Sequence, residues 1–255
     1  LSFEFIVIPL FVLMGQFATR SGLSEDLYKA FNTWLGQFPG GLGLATVGAC
    51  GAFAAICGSS LATAAAMSKV ALPEMERYKY DPRLATGTIA AGGTVGILIP
   101  PSVIMVIYGI LTETSIADLF IAGIIPGLVL IALFMLTVWV LASLFPEFGP
   151  KGPGSTYREK VAAVRQVWGT ILLFVIVLGG IYTGIFTPTE AAGIGAFGAL
   201  GLGVIAGRMN RSSFFQALLD SVDTTAMVFT ILIGAIVFKN LIALLQFPSM
   251  IESWM

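Results

Sequence analysis

The chain has 255 residues, 57% of them hydrophobic and only 11% charged, with a net charge of −1 at neutral pH. A water-soluble domain carries about a quarter charged residues, so a single soluble core is excluded, and the near-neutral balance argues against a nucleic-acid or acidic partner. Histidine is absent, which removes the commonest metal ligand and general base.

Apolar runs cover residues 3–19, 40–72, 84–111, 119–145, 167–186, 191–207 and 221–247. Most approach or exceed the ~20 residues that cross a bilayer as a helix, so the chain reads as an all-α polytopic integral membrane protein. Leu1 opens an apolar run without a basic n-region, so no signal peptide is expected. Without an initiator Met the chain reads as an excerpt of something longer. Residues 24–34 mix apolar and charged side chains and suit an interfacial helix.

Cytoplasmic loops are enriched in Lys and Arg. Of the 13 basic residues, all but Lys239 fall in or beside the connectors. From Arg83 onward basic and non-basic connectors alternate, as single crossings require. The run 40–72 is the exception, with basic connectors on both sides. As one helix its roughly 33 residues would extend about 50 Å, against a hydrocarbon core of about 30 Å. Gly58-Ser59-Ser60 is a natural break in its middle. The run is therefore expected to enter and return as a re-entrant hairpin open to the cytoplasm, with its tip at 58–63. Cys50 and Cys57 within it read as small packing residues.

The run 84–111 contains Gly92-Gly93-Thr94-Val95-Gly96 and then Pro100-Pro101-Ser102. Prolines remove backbone donors and glycines weaken a helix, so two half-helices with an unwound stretch near mid-membrane are expected. Broken helices of this kind build substrate and coupling-ion sites in secondary transporters. Half-helix N-termini attract anions, and freed carbonyls with Ser or Thr hydroxyls suit a hard cation such as Na⁺. The other reading of Ser59, Ser60, Thr63 and the glycines is close helix packing. Pro100 and Pro101 read as makers of the break rather than ligands.

Further along, Ser115-Ile116-Ala117-Asp118 and Thr187-Pro188-Thr189-Glu190 read as helix-starting capping boxes. The Pro- and Gly-rich segment 146–155 divides the chain, and 157–168 suits a second interfacial helix. Asp220 and Asp223 precede the last apolar run and read as first-turn carboxylates suited to a helix N-terminus. Lys239 lies inside an apolar run, where an ionisable group is a functional hypothesis by default; snorkelling is the alternative.

The order of these motifs is recognisable. Pro9-Leu10-Phe11 with Met14-Gly15 precedes Gly58-Ser59-Ser60-Leu61-Ala62-Thr63-Ala64-Ala65-Ala66 and Pro73-Glu74-Met75. Then follow Gly92-Gly93-Thr94-Val95-Gly96-Ile97-Leu98-Ile99-Pro100-Pro101-Ser102, Tyr108-Gly109, Pro126-Gly127 and Gly184-Ile185-Phe186-Thr187-Pro188-Thr189-Glu190. Over essentially the whole chain this resembles the large membrane subunit of tripartite ATP-independent periplasmic (TRAP) transporters. The resemblance implies an elevator-type inverted repeat. Residues 1–145 would form the first repeat, 146–166 a cytoplasmic linker, and 167–255 the start of an incomplete second repeat.

It further implies secondary active, Na⁺-coupled import of an organic acid such as a dicarboxylate across the bacterial cytoplasmic (inner) membrane. The expected partners are a small membrane subunit, a periplasmic substrate-binding protein and membrane lipid. No cofactor beyond the coupling ion is expected. The Na⁺ and substrate site carries over onto Gly58, Ser59, Ser60, Thr63, Gly92, Gly93, Thr94, Gly96 and Ser102, with Na⁺ itself at Ser59, Ser60, Thr63, Gly93 and Thr94. In the family further helices precede the part matching Leu1, and a second hairpin and broken helix follow the part matching Met255. The chain by itself is therefore not expected to transport. The rival classes are an intramembrane enzyme and a pore. Asp220 and Asp223 share one helix end, so they do not form a facing pair. A serine protease would need Lys239 to serve Ser59 or Ser60 as base. A pore would be expected to repeat a filter around a ring of subunits.

Overall fold

A computed structural model describes residues 3–246, and among them the regular elements are helices only. A short 3₁₀ turn, Phe3–Ile6, leads into α1 (Val7–Arg20). There follow α2 (Leu23–Leu35), α3 (Gly41–Cys57), α4 (Ser60–Arg77), α5 (Pro82–Thr94) and α6 (Val103–Thr112). The second part holds α7 (Ile116–Leu144), α8 (Tyr157–Gln166), α9 (Trp168–Tyr182), α10 (Pro188–Ile205) and α11 (Arg211–Leu244).

By length and composition α7, α10 and α11 can each cross a bilayer, while α8 and α9 form a pair bent by 49°. Helices α1, α3 and α6 are apolar but shorter. Without a hydrophobic drive between helices in lipid, association depends on close packing and hydrogen bonds. Helix α3 is the centre of the molecule. Nearly every one of its residues is buried, and it packs against α1, α2, α4, α5 and α7. Its Gly and Ala content permits neighbours on all sides. Conversely, α7 and α11 leave most large apolar side chains exposed, among them Leu128, Leu133, Leu136, Ile231 and Val237, as lipid-facing helices do.

Helix α1 packs along α10 and α11 and joins the two parts of the chain. At one end of that seam Arg20 forms an ion pair with Asp220 and donates to Gln216. Nearby, Arg208 grips both carboxylate oxygens of the nearly buried Asp26, at 2.7 and 3.1 Å, and Gln166 donates to the same carboxylate. The Asp26 hydrogen bond holds the Arg208 guanidinium above its usual pKa.

Two expectations are corrected. Helix α11 begins at Arg211, because the Asn210 side chain accepts from the Ser213 amide at 2.7 Å. Asp220 and Asp223 therefore lie inside the helix, not in its first turn. Ser115 does cap α7, accepting from the Asp118 amide at 3.3 Å. No return bond from Asp118 completes the box, because Asp is a methylene shorter than the Glu or Gln the motif uses. The predicted box at Thr187 and Glu190 is complete, and an unanticipated one at Thr156 and Glu159 starts α8. Phe247, the expected end of the last apolar run, lies outside the described residues.

Candidate site at two facing helix breaks

The run 40–72 is two helices, α3 and α4, packed on each other and broken at Gly58-Ser59. Gly58 ends α3 with φ +61°, a left-handed conformation that favours glycine. Ser59 returns to extended backbone and caps α4, its hydroxyl accepting from the Ala62 amide at 3.3 Å. The far ends of the hairpin come back together. The Tyr80 hydroxyl accepts from the Leu42 amide at 3.1 Å and donates to the Pro150 carbonyl at 2.8 Å. The Gly40 and Asp81 amides donate to the Gly149 and Phe148 carbonyls, each at 3.0 Å. Both ends of the hairpin are thus tied to one linker segment, and the tip lies at the opposite end of two helices of about 25 Å.

The second break differs in detail from the sequence expectation. Gly92, Gly93 and Thr94 belong to α5, which runs on through them before tightening into a 3₁₀ turn at Val95–Ile97. The unwound stretch is Leu98 to Ser102, with a cis peptide between Pro100 and Pro101. Pro100 and Pro101 stand four residues after Gly96 and Ile97, where a helix would supply their amide donors. The Ile99 amide still makes the helical bond to the Val95 carbonyl, the last before the prolines. The Gly96 and Ile97 carbonyls are left without a helical donor.

The two breaks face each other. The Val103 amide, first of α6, donates to the Gly58 carbonyl at 3.2 Å. A Cβ on Gly58 would lie 2.6 Å from the Pro101 carbonyl oxygen, and one on Gly96 would lie 3.2 Å from the Ser59–Ser60 backbone. Glycine at these two positions lets two pieces of non-helical backbone touch. The starts of α4 and α6, which carry partial positive charge, are thereby brought to the same place as the ends of α3 and of the Val95–Ile97 turn, which carry partial negative charge.

The side chains divide into two groups. Thr63 is fully buried and committed within the hairpin, donating to the Ser59 carbonyl at 2.8 Å with Cys57 Sγ 3.0 Å away. Gly92 packs on Cys50 and Gly93 on Ala64. Thr94 is exposed and donates back to the Ala91 carbonyl. By contrast, the half-buried Ser60 hydroxyl makes no hydrogen bond among the described residues. Ser102, entirely buried at the start of α6, neither caps the helix nor finds a partner for its Oγ among the described residues. A buried hydroxyl without a partner costs free energy on the order of 1–3 kcal/mol. Beside the hairpin tip lies a cavity of about 270 Å³ bounded by Gln16, Ser59, Ala62, Thr224 and Met227, so α11 and α1 supply its outer wall. Sequence reasoning missed Gln16 and Thr224. Neither stands out in an apolar run, and each reaches the tip only through tertiary packing.

Lys239 is exposed and donates to the Leu111 carbonyl at 3.1 Å, satisfying one of the open carbonyls at the end of α6.

The family model described as "Tripartite ATP-independent periplasmic transporter, DctM component" matches residues 1–255. The chain is 40% identical over 254 residues to the C4-dicarboxylate TRAP transporter large permease protein DctM of Pseudomonas aeruginosa, covering 99% of the chain and 59% of that relative. It is 34% identical to the sialic acid TRAP transporter large permease protein SiaM of Vibrio cholerae, with 99% and 59% covered. Against the isethionate TRAP transporter permease protein DctMQ of Oleidesulfovibrio alaskensis it is 37% identical, with 100% and 40% covered. The chain thus spans about 59% of the length of the first two relatives.

Proposed function

Because the chain belongs to the DctM-component family of tripartite ATP-independent periplasmic transporters, we propose that it forms the first half of the transport pathway of a Na⁺-coupled organic-acid importer. Membership makes it a multi-pass bacterial membrane protein and a permease component rather than an enzyme. The observation that carries the proposal is the contact of the two helix breaks through Val103 and Gly58.

In this reading α3 and α4 re-enter the cytoplasmic (inner) membrane from the cytoplasmic side. The return of both hairpin ends to Tyr80 and the basic linker supports it. Residues 1–145 form the first repeat of an elevator, 146–166 the linker and 167–255 the start of the second repeat. At the tip, Ser59, Ser60, Ser102 and the Gly96 and Ile97 carbonyls supply oxygen donors and no carboxylate. Such a set suits a monovalent cation better than Mg²⁺, which keeps its waters and prefers carboxylates. Gly93 and Thr94 stand next to this set, and Thr63 holds its shape. The converging helix starts favour the substrate's carboxylate. Cation and anion then stabilise each other, and that coupling is reciprocal.

A small membrane subunit and a periplasmic binding protein complete the transporter. The relatives' names point to organic acids, the dicarboxylates and sialic acid among them. The test is uptake by the full-length protein with its small subunit in proteoliposomes. Accumulation that requires both an inward Na⁺ gradient and the binding protein is expected. Uptake that ignores either one contradicts the proposal.

A further inference from the structure

Helix α8 carries a surface that the transport site does not use. Tyr157, Val161 and Val164 are 79%, 50% and 46% exposed, and Trp168, the first residue of α9, continues the line at 55%. At about 100° per residue, Tyr157, Val161 and Val164 share an arc of about 60°. Arg158 and Arg165 fall on one side of that arc and Lys160 on the other. Ala163 and Val167, on the Lys160 side, are buried where α8 packs on α2, and Glu159, Ala162 and Gln166, opposite the stripe, are exposed. Lys160 stacks over the Trp34 ring at 5.8 Å, and the Trp34 indole donates to the Lys160 carbonyl. Arg158 and Arg165 make no ion pair or hydrogen bond among the described residues. Glu159, the one acid in α8, is turned away from the stripe and engaged in the Thr156 capping box.

An exposed apolar stripe flanked by two unpaired arginines on one side and Lys160 on the other, on a helix bent 49° from α9, matches neither a hydrocarbon span nor a solvated face. Four charges in ten residues are too many for the first, and the stripe is too apolar for the second. Amphipathic helices with cationic flanks bury such a stripe at the headgroup boundary and are drawn to anionic lipid. Resting on the membrane reading above, we propose that α8 is a docking surface for anionic phospholipid headgroups of the cytoplasmic leaflet. There Arg158 and Arg165 take the phosphates, and Tyr157, Val161, Val164 and Trp168 enter the acyl boundary.

The test uses the full-length transporter in nanodiscs of phosphatidylcholine and phosphatidylglycerol. An environment-sensitive fluorophore is placed on Val161→Cys, or on Leu133→Cys in α7 as the control, in a single-cysteine background. Lipid-borne quenchers near the headgroup are expected to quench position 161. Quenching should favour phosphatidylglycerol carriers, and mid-chain quenchers should quench position 133. Arg158→Gln with Arg165→Gln should reduce the phosphatidylglycerol preference by roughly five-fold per arginine, from about 1 kcal/mol each. Arg158→Lys with Arg165→Lys should preserve it. Quenching at 133 alone, or no preference for anionic lipid at 161, overturns the docking surface and leaves the membrane reading intact. Silence at both positions removes the membrane reading as well.

Discussion

The amide of Val103 donates to the carbonyl of Gly58 at 3.2 Å, joining the end of α3 to the start of α6. This bond exists because the Val103 amide, in the first turn of α6, has no helical partner and the Gly58 carbonyl stands just past the end of α3. Gly58→Ala should break it, since the left-handed backbone costs a non-glycine residue about 1–2 kcal/mol and the new Cβ would lie 2.6 Å from the Pro101 oxygen. More than ten-fold loss of uptake and a lowered melting temperature are expected in the full-length protein. Gly87→Ala in α5, where a Cβ meets nothing within 4 Å, should leave both unchanged.

Tyr80 closes the other end of the hairpin. Burial pushes its hydroxyl up to a pKa of about 12, so it stays protonated, able to donate and accept, through the physiological range. Tyr80→Phe leaves the Leu42 amide and the Pro150 carbonyl without their partner, and buried unsatisfied groups cost about 1–3 kcal/mol. Thermal melts of the purified protein should show that loss, with membrane insertion retained.

The proposed re-entry of α3 and α4 from the cytoplasmic side carries a topological prediction. Cysteines at Lys29 and Lys79, placed singly, should both be modified by a membrane-impermeant reagent from the cytoplasmic side. Labelling from opposite sides would mean that α3 and α4 together cross the bilayer.

Lys239→Met removes the hydrogen bond to the Leu111 carbonyl and nothing else that the described residues show. Uptake within a few-fold of the parent is expected, with stability lower by about 0.5–1.5 kcal/mol. Complete loss of uptake with normal insertion would place this lysine in the transport site.

The breaks were legible in the sequence because their causes are local: Gly58-Ser59-Ser60 and Pro100-Pro101 interrupt helices wherever they stand. The exact place of the second break was not. Gly92 and Gly93 tolerate helix once Cys50 and Ala64 pack against them, and the prolines act only on carbonyls four residues before them. Asp220 was misplaced because apolarity begins at Ser221, whereas the helix begins ten residues earlier at the Asn210 cap. That cap was readable; the pairing of Asp220 with Arg20 across 200 residues was not. The unpartnered Ser102 hydroxyl is likewise a property of packing alone.

The central claim is that the serine hydroxyls at the facing breaks hold a cation coupled to the substrate. A Na⁺ titration of substrate uptake into proteoliposomes, comparing the parent with Ser60→Ala, tests it most directly. Coupling of about 1–3 kcal/mol predicts a half-saturating Na⁺ concentration raised roughly five-fold or more, with substrate uptake weakened in parallel. Thr63→Ala, which loses a bond inside the hairpin, should lower stability with a smaller shift. A Na⁺ curve for Ser60→Ala that overlays the parent, together with unchanged curves for Ser59→Ala and Ser102→Ala, would contradict the account and leave these hydroxyls as packing groups.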